Sequence, residues 1–231
     1  MATLRRNTRA AKTVDAAPNV EWSRADARRN QVLEAAAECF RKDGFRGTSI
    51  QRISTVAGMS PGHIYHYFDN KEAIVDGIVR RYTDERLAIA DRIEPASESV
   101  GVLQAAADLF TDAMQLRLGH ERASLALEVL AEGIRNPAIG AVLQQADASA
   151  VTRVCHRLKD APELRPMTEA ELKARLSVIH TLLDGLTVRT AVDPTLDMAT
   201  IAPVMAEVVR FVLQGLAAPD PESPTTAGPP V

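Results

Sequence analysis

From Ser23 onward the apolar positions recur every three or four residues, the period of a helix with one buried face, and no β-type alternation persists. Ser23 with Asp26 predicts an N-cap and an acid in the first turn. Val32, Leu33, Ala36, Ala37 and Phe40 form the inward stripe of the helix that follows, and Gly44 supplies its stop. Thr48-Ser49-Ile50-Gln51 reads as a capping box opening a short helix, with Ile50, Ile53, Val56 and Ala57 inward and Gly58 at its end. Ser60-Pro61 is an N-cap followed by proline at the first helical position, and predicts a third short helix to about Phe68. Asn70-Lys71 restarts a long helix, with Ile74, Ile78, Val79 and Tyr82 inward.

Beyond residue 82 helix follows helix. Glu94-Pro95 breaks the long one, and the pattern then predicts helices near 98–117, 121–134 and 138–160, ending around Gly119, before Asn136-Pro137 and at Pro162. A second capping box, Thr168-Glu169-Ala170-Glu171, opens 169–191, which Asp193-Pro194 closes. The last helix spans roughly 197–216, with Pro203 in or near its first turn. The expected architecture is all-α, about nine helices. It divides into a basic disordered arm (1–22), a three-helix helix-turn-helix domain (23–82, motif 49–68), a helical regulatory and dimerisation domain (83–216) and a disordered tail (217–231). No internal repeat is visible.

The twenty residues 49–68, SIQRISTVAGMSPGHIYHYF, carry the sharpest signal. Two short helices separated by Gly58-Met59-Ser60 give the tight turn that lets the second cross the first at a large angle, the geometry that presents a helix to the major groove. At about 100° per residue, Ile64, Tyr65 and Phe68 fall near Pro61 on one side. Gly62, His63, His66 and Tyr67 fall on the other. The outer face then offers ring donors and acceptors to base edges or phosphates, and no acid.

Composition sharpens this. Hydrophobic residues make up 46% and charged residues 25%, ordinary for a globular chain, while aromatics at 4% favour helices. Net charge is −3, unevenly placed: residues 1–82 carry 14 lysines and arginines against nine acids, and residues 83–231 carry 13 against 21. A basic first third on an acidic remainder suits a polyanion-binding module joined to something else. The arm, with Arg5, Arg6, Arg9 and Lys12, either tracks phosphates or is merely solvated. Five of the thirteen prolines lie in 219–231. The longest apolar runs fall far short of the ~18–20 residues of a membrane helix, and the basic N-terminus lacks the apolar stretch of a secretory signal. Cys39 and Cys155 are the only cysteines, too few for a disulfide framework or a thiolate metal cluster and compatible with a reducing cytosol. The expectation is a cytoplasmic protein with no membrane partner and no cofactor.

Enzyme readings find no purchase. No P-loop, GxSxG, HExxH or CxxC occurs. His63 and His66 share a helical face, but no third ligand of suitable type is near them in sequence, so no metal site is assigned.

The stretch from Arg28 to about Arg81 resembles the DNA-binding domain of the TetR family of bacterial transcriptional regulators. The resemblance rests on Phe40, Gly44-Phe45, Thr48-Ser49, Ala57-Gly58, Ser60 with Gly62, Tyr65 with Phe68, and Lys71-Glu72. It implies that Thr48 and Lys71, each at a helix N-terminus, bind backbone phosphate; that Tyr65 and Tyr67 are aromatic phosphate contacts; and that Gly62, His63 and His66 lie nearest base edges. Ser49, Ser60 and Pro61 complete the implied DNA-binding set, with Gln51 and Arg28 weaker flanking contacts. The C-terminal segments LALEVLAEGIRNPAI (125–139) and LLDGLTVRTAVDP (182–194) resemble the branch that includes betaine-biosynthesis repressors.

By the same resemblance, helices from about 83 to 160 enclose a cavity for a small-molecule effector. Arg117, His120, Glu128, Cys155 and His180 are the candidate polar lining groups, each weighed against an ordinary structural role. The last two helices would pair with a partner's copies in a homodimer. Leu176, Ile179, Leu183 and Leu186 on one, and Val204, Val208, Phe211 and Val212 on the other, are the candidate interface positions. Intramolecular core is the ordinary alternative, and both can hold, since each helix has two faces to bury. The resulting expectation is a repressor that binds a palindromic double-stranded DNA operator and releases it on binding effector. The alternative is a dimeric ligand-binding adaptor on the same scaffold that does not bind DNA.

Overall fold

The computed structural model describes residues 24–214, and these are helical throughout apart from short connections. The arm expected over 1–22, the Ser23 cap and the tail expected over 217–231 lie outside them.

Helix α1 (Arg24–Gly47) buries Val32, Leu33, Ala36 and Phe40, the stripe its periodicity marks. It is broken near its end by Gly44, whose φ of 70° is a conformation other residues adopt only with strain. Helix α2 (Ile50–Ala57) is capped by Ser49, whose hydroxyl accepts from the Arg52 amide, and it closes on Gly58 in the left-handed region. The capping box expected from Thr48 to Gln51 therefore does not form. Thr48 instead donates its hydroxyl to the Gly44 carbonyl (2.8 Å), answering an acceptor that the break in α1 exposes.

Helix α3 (Pro61–Tyr65) starts from the expected Ser60 cap, with Oγ accepting from the His63 amide. It is shorter than its expected end at Phe68. Helix α4 (Lys71–Ala90) is capped by Asn70. At 20 residues it is about 30 Å long and reaches from the helix-turn-helix into the second half of the molecule.

The chain then departs from expectation. Glu94-Pro95 does not end α4 but opens a separate helix, α5 (Ile93–Val100). Proline is tolerated there because first-turn amides have no intrahelical acceptor to lose. Gly101, at φ 81°, separates α5 from α6 (Val102–Arg117). The remainder follows the predicted order: α7 (His120–Arg135), α8 (Pro137–Leu158), α9 (Glu169–Val192, capped by Thr168) and α10 (Met198–Gln214). Pro203 sits just past the first turn of α10. The described residues thus hold ten helices rather than about nine.

Two hydrophobic cores organise them. One joins α1–α4 through Leu33, Phe40, Ile53, Ile64 and Ile78, and takes in Leu125 and Val129 of α7 and Ile139 of α8. The other gathers Leu109, Phe110, Met114, Leu158, Leu172 and Leu183 with Val209 and Leu213 of α10. Because α7 contributes to the first core and also walls the space beside the second, it links the two halves.

Candidate functional site

Helix α3 projects from the N-terminal core with Ile64 and the following Phe68 buried beneath it. Its exposed side carries Gly62, His63, Tyr65 and His66. The sequence placed Tyr65 inward and Tyr67 outward, and the structure reverses them. Tyr65 is 53% exposed, whereas Tyr67 is half-buried and packs on the core. The reason is rotational. On the same 100° wheel the buried side is centred between Ile64 and Tyr67, so the exposed arc runs from about 40° at Tyr65 through Gly62 and His66 to about 200° at His63. Tyr67 buttresses both imidazoles, with ring centroids 5.4 Å from His63 and 5.0 Å, edge-on, from His66. This fixes two hydrogen-bonding rings on one short helix.

Gly62 is informative because the fold does not require it. It is not among the positive-φ glycines Gly44, Gly58 and Gly101, and a Cβ built there would meet nothing within 4 Å. The open space faces outward.

Around α3, Ser49, Gln51 and Ser60 are exposed and Pro61 is half-buried. Arg28 donates to Gln31, which in turn holds the Ala57 carbonyl (2.7 Å) and clamps α1 to α2. Thr48 and Lys71 are placed differently from a pair of open phosphate contacts. Thr48 is 2% exposed and its hydroxyl is spent on Gly44. The Lys71 ammonium donates to the Phe45 and Thr48 carbonyls (2.8 and 2.7 Å) and lies 4.4 Å from the centre of the Phe45 ring. Two of its three donors are thus occupied. In this conformation Thr48 and Lys71 hold the joint between α1, α2 and α4, with one ammonium proton left for an external acceptor.

Two adjoining cavities lie between α4 and α6–α9. The inner one, of 130 Å³, is lined by apolar side chains from α4, α5, α6, α8, α9 and α10, among them Leu109, Phe110, Val154, Leu176, Val209 and Leu213. The outer one, of 450 Å³, is lined by Tyr82, Arg86, Arg117, Arg122, Leu125, Val129, Asp147 and Asp184, among others. Arg86, Ala113, His180 and Leu183 belong to both.

At that shared wall the Arg86 and Arg117 guanidiniums each lie 3.2 Å from His180 Nε2. Asp147 takes His180 Nδ1, and Asp184 pairs with Arg117. Two donors aimed at Nε2 require it to be unprotonated, so the ring is neutral with its proton on Nδ1. Burial and the Arg86 charge accordingly hold the His180 pKa below its ordinary value. Burial and neighbouring Arg117 lower that of Arg86.

Of the five residues expected to line the cavity, Arg117 and His180 do so. Glu128 does not. Its carboxylate accepts from the Phe45 amide (2.7 Å), so it is spent on the break in α1 rather than on Arg122 or Arg153. Arg122 pairs with Glu85 and Arg153 with Asp91. Cys155 is core, its thiol pKa raised by burial, and His120 is an exposed residue at the start of α7. The sequence analysis missed Arg86, Asp147 and Asp184. Arg86 and Asp147, on α4 and α8, have no local link to His180 in the sequence, whereas Asp184 stands four residues from it on α9, the one signal that could have marked it.

The N-terminal residues 32–78 match the family model described as bacterial regulatory proteins, tetR family, and residues 102–218 match that of the BetI-type transcriptional repressor C-terminal domain. The chain belongs to the TetR family. It is 31% identical over 154 residues to the HTH-type transcriptional regulator UidR of Escherichia coli K12, covering 64% of this chain and 74% of that protein. The transcriptional repressor KstR2 of Rhodococcus jostii is 38% identical over 68 residues, 29% of this chain and 33% of that one. Among solved structures, Salmonella enterica GusR superposes with a TM-score of 0.71 at 22% identity, covering 84% of this chain and 98% of that one. Bacillus subtilis FadR in complex with stearoyl-CoA gives 0.64 at 18%, covering 81% and 99%. At these identities the superpositions speak for the fold. The family and the curated relatives are transcriptional regulators, not enzymes, and this TetR-family chain is a DNA-binding transcriptional regulator. No described helix is long and apolar enough to cross a membrane.

The terminal helices of this TetR-family member need one more correction. Leu176, Ile179, Leu183 and Leu186 are buried in the chain's own second core and offer nothing outward. The outward face of α9 is a different stripe, Ala174, Val178, Thr181, Gly185, Val188 and Val192, spaced by fours and threes. On α10, Val204 and Phe211 are each 56% exposed, while Val208 and Val212 are half-buried beside them.

Proposed function

We propose that this regulator is a repressor acting as a homodimer on a pseudo-palindromic operator, and that a small molecule in the α4–α9 cavities releases it. The observation that carries the DNA reading is the exposed Gly62, His63, Tyr65, His66 face of α3, with its histidines braced by Tyr67 and its glycine unneeded by the fold. One helix this short reads few base pairs. A two-fold pair reads two half-sites about 34–36 Å apart, one turn of duplex. The outward stripes of α9 and α10 supply the apolar face for such pairing. The match to a repressor C-terminal family, and the FadR relative that carries stearoyl-CoA, support an effector-released repressor.

The linkage has a physical route. Helices α4 and α7 both wall the outer cavity and both hold the segment 44–48, α4 from its first residue and α7 from its middle. From α4, Lys71 holds the Phe45 and Thr48 carbonyls. From α7, Glu128 holds the Phe45 amide. Arg122–Glu85 (2.7 Å) ties the two helices at the cavity. An occupant that prefers a different α4–α7 spacing shifts the population toward dimers whose α3 helices are wrongly spaced.

The test is binding of captured genomic fragments by the parent and by His63→Ala. The reading expects loss of at least about tenfold for the variant, and a steep fall of parent affinity with salt. A folded His63→Ala protein that binds the same fragments equally well contradicts it.

A further inference from the structure

The shared wall of the two cavities also says what kind of molecule they take. Asp147 is engaged by His180, Asp184 by Arg117, and Glu85 by Arg122. Arg86 is different. Among the described residues its guanidinium makes no ion pair, and the one hydrogen-bond contact shown is to His180 Nε2, a nitrogen that Arg117 also approaches. A largely buried guanidinium with donors left over is costly unless something accepts from it. With His180 neutral, the Asp147 carboxylate keeps its charge and, with Asp184, partly balances the two guanidiniums. What remains open is the set of unused Arg86 donors, which an acceptor must meet and which a carboxylate meets best through the two-pronged guanidinium.

Directly inward of Arg86 lies the 130 Å³ apolar cavity, whose lining is Ile89, Ile93, Leu109, Phe110, Val154 and neighbours. Its volume is close to that of a cavity known in another protein to hold benzene, about 150 Å³. An apolar arm of about six carbons, as a chain or a single ring, fills it.

We propose that the site takes an amphipathic organic acid, its carboxylate on Arg86 and its short apolar arm in the inner cavity, with any further substituents in the outer one. This deepens the reading of the cavities as the effector site and rests on it.

Calorimetric titration of the full-length protein, without DNA, tests it with octanoate, octanamide and octylamine, three probes of one chain length that differ in charge. Octanoate binds at least about tenfold more tightly than octanamide, as a charge-assisted hydrogen bond implies, and octylamine does not bind. Arg86→Met removes the preference for the acid over the amide, and Arg86→Lys keeps part of it. Ala150→Leu, which fills the inner cavity from α8, weakens octanoate more than butyrate. If Arg86→Met does not fold, the probe series on the parent and on Arg86→Lys still decides.

Equal binding of octanoate and octanamide, preference for the amine, or no binding of octanoate at millimolar concentration overturns the proposal. So does an unchanged acid preference in Arg86→Met. Because the readout involves no DNA, failure to find an operator leaves it intact, and an operator-binding protein indifferent to octanoate sinks only this inference.

Discussion

Single residues here divide by whether the fold needs them. Gly62 stands in the first turn of α3, where alanine is intrinsically no worse, and nothing in the protein blocks a side chain. Gly62→Ala is therefore expected to leave the thermal midpoint unchanged or raised while weakening fragment binding, since the added methyl faces where a DNA backbone would approach. A midpoint that falls along with binding would make Gly62 structural instead. Glu128 is the opposite case. Removing its carboxylate strands the Phe45 amide, so Glu128→Ala is expected to lower stability by about 1–3 kcal/mol in chemical denaturation. It should also blunt any effector response by detaching α7 from segment 44–48. His180 makes a pH prediction. Its folded pKa is lowered, so the unfolded chain binds its proton more readily. Its contribution is then intact above the unfolded value of about 6.5 and is lost as pH falls below it. Unfolding midpoints taken from pH 7.5 to 5.5 should fall, and His180→Gln should flatten part of that fall.

At the scale of elements, periodicity made the helices legible, but not every boundary. Thr48 and Ser49 are both good caps, and only the carbonyl freed by the break at Gly44, a tertiary circumstance, assigns the cap to Ser49. Pro95 reads as a breaker in sequence because local pattern does not say whether a proline stands at the end of one helix or in the first turn of the next. Helix α9 is apolar on two faces, and its leucine stripe and its valine-and-small stripe are equally periodic. Packing against α8 and α10 claims the leucines and leaves the valines outward. The two faces should respond differently. Leu183→Ala is expected to cost about 2–5 kcal/mol of stability by opening a cavity, with no change of oligomeric state that lower stability does not explain. Val178→Glu with Val188→Glu should give a folded monomer by light scattering. A dimer that survives the paired glutamates would move the interface elsewhere.

For the whole molecule, the sequence showed the helix-turn-helix because its capping, glycine and aromatic signals fall within twenty consecutive residues. The cavity cluster was only half visible because Arg86, Arg117, Asp147, His180 and Asp184 come from four helices and meet only in the fold. The design that emerges is an α3 face held by a joint at residues 44–48, gripped by the start of α4 and the middle of α7, and both helices wall a cavity that carries a guanidinium with no ion pair among the described residues. The most direct measurement is capture of genomic DNA fragments by the purified protein, repeated with Gly62→Ala and His63→Ala. The account expects the parent to enrich a short inverted repeat with half-sites one turn apart, and the two folded variants to lose it. Enrichment of the same repeat by all three proteins, or a folded dimer that enriches none, would contradict the claim that this face reads DNA.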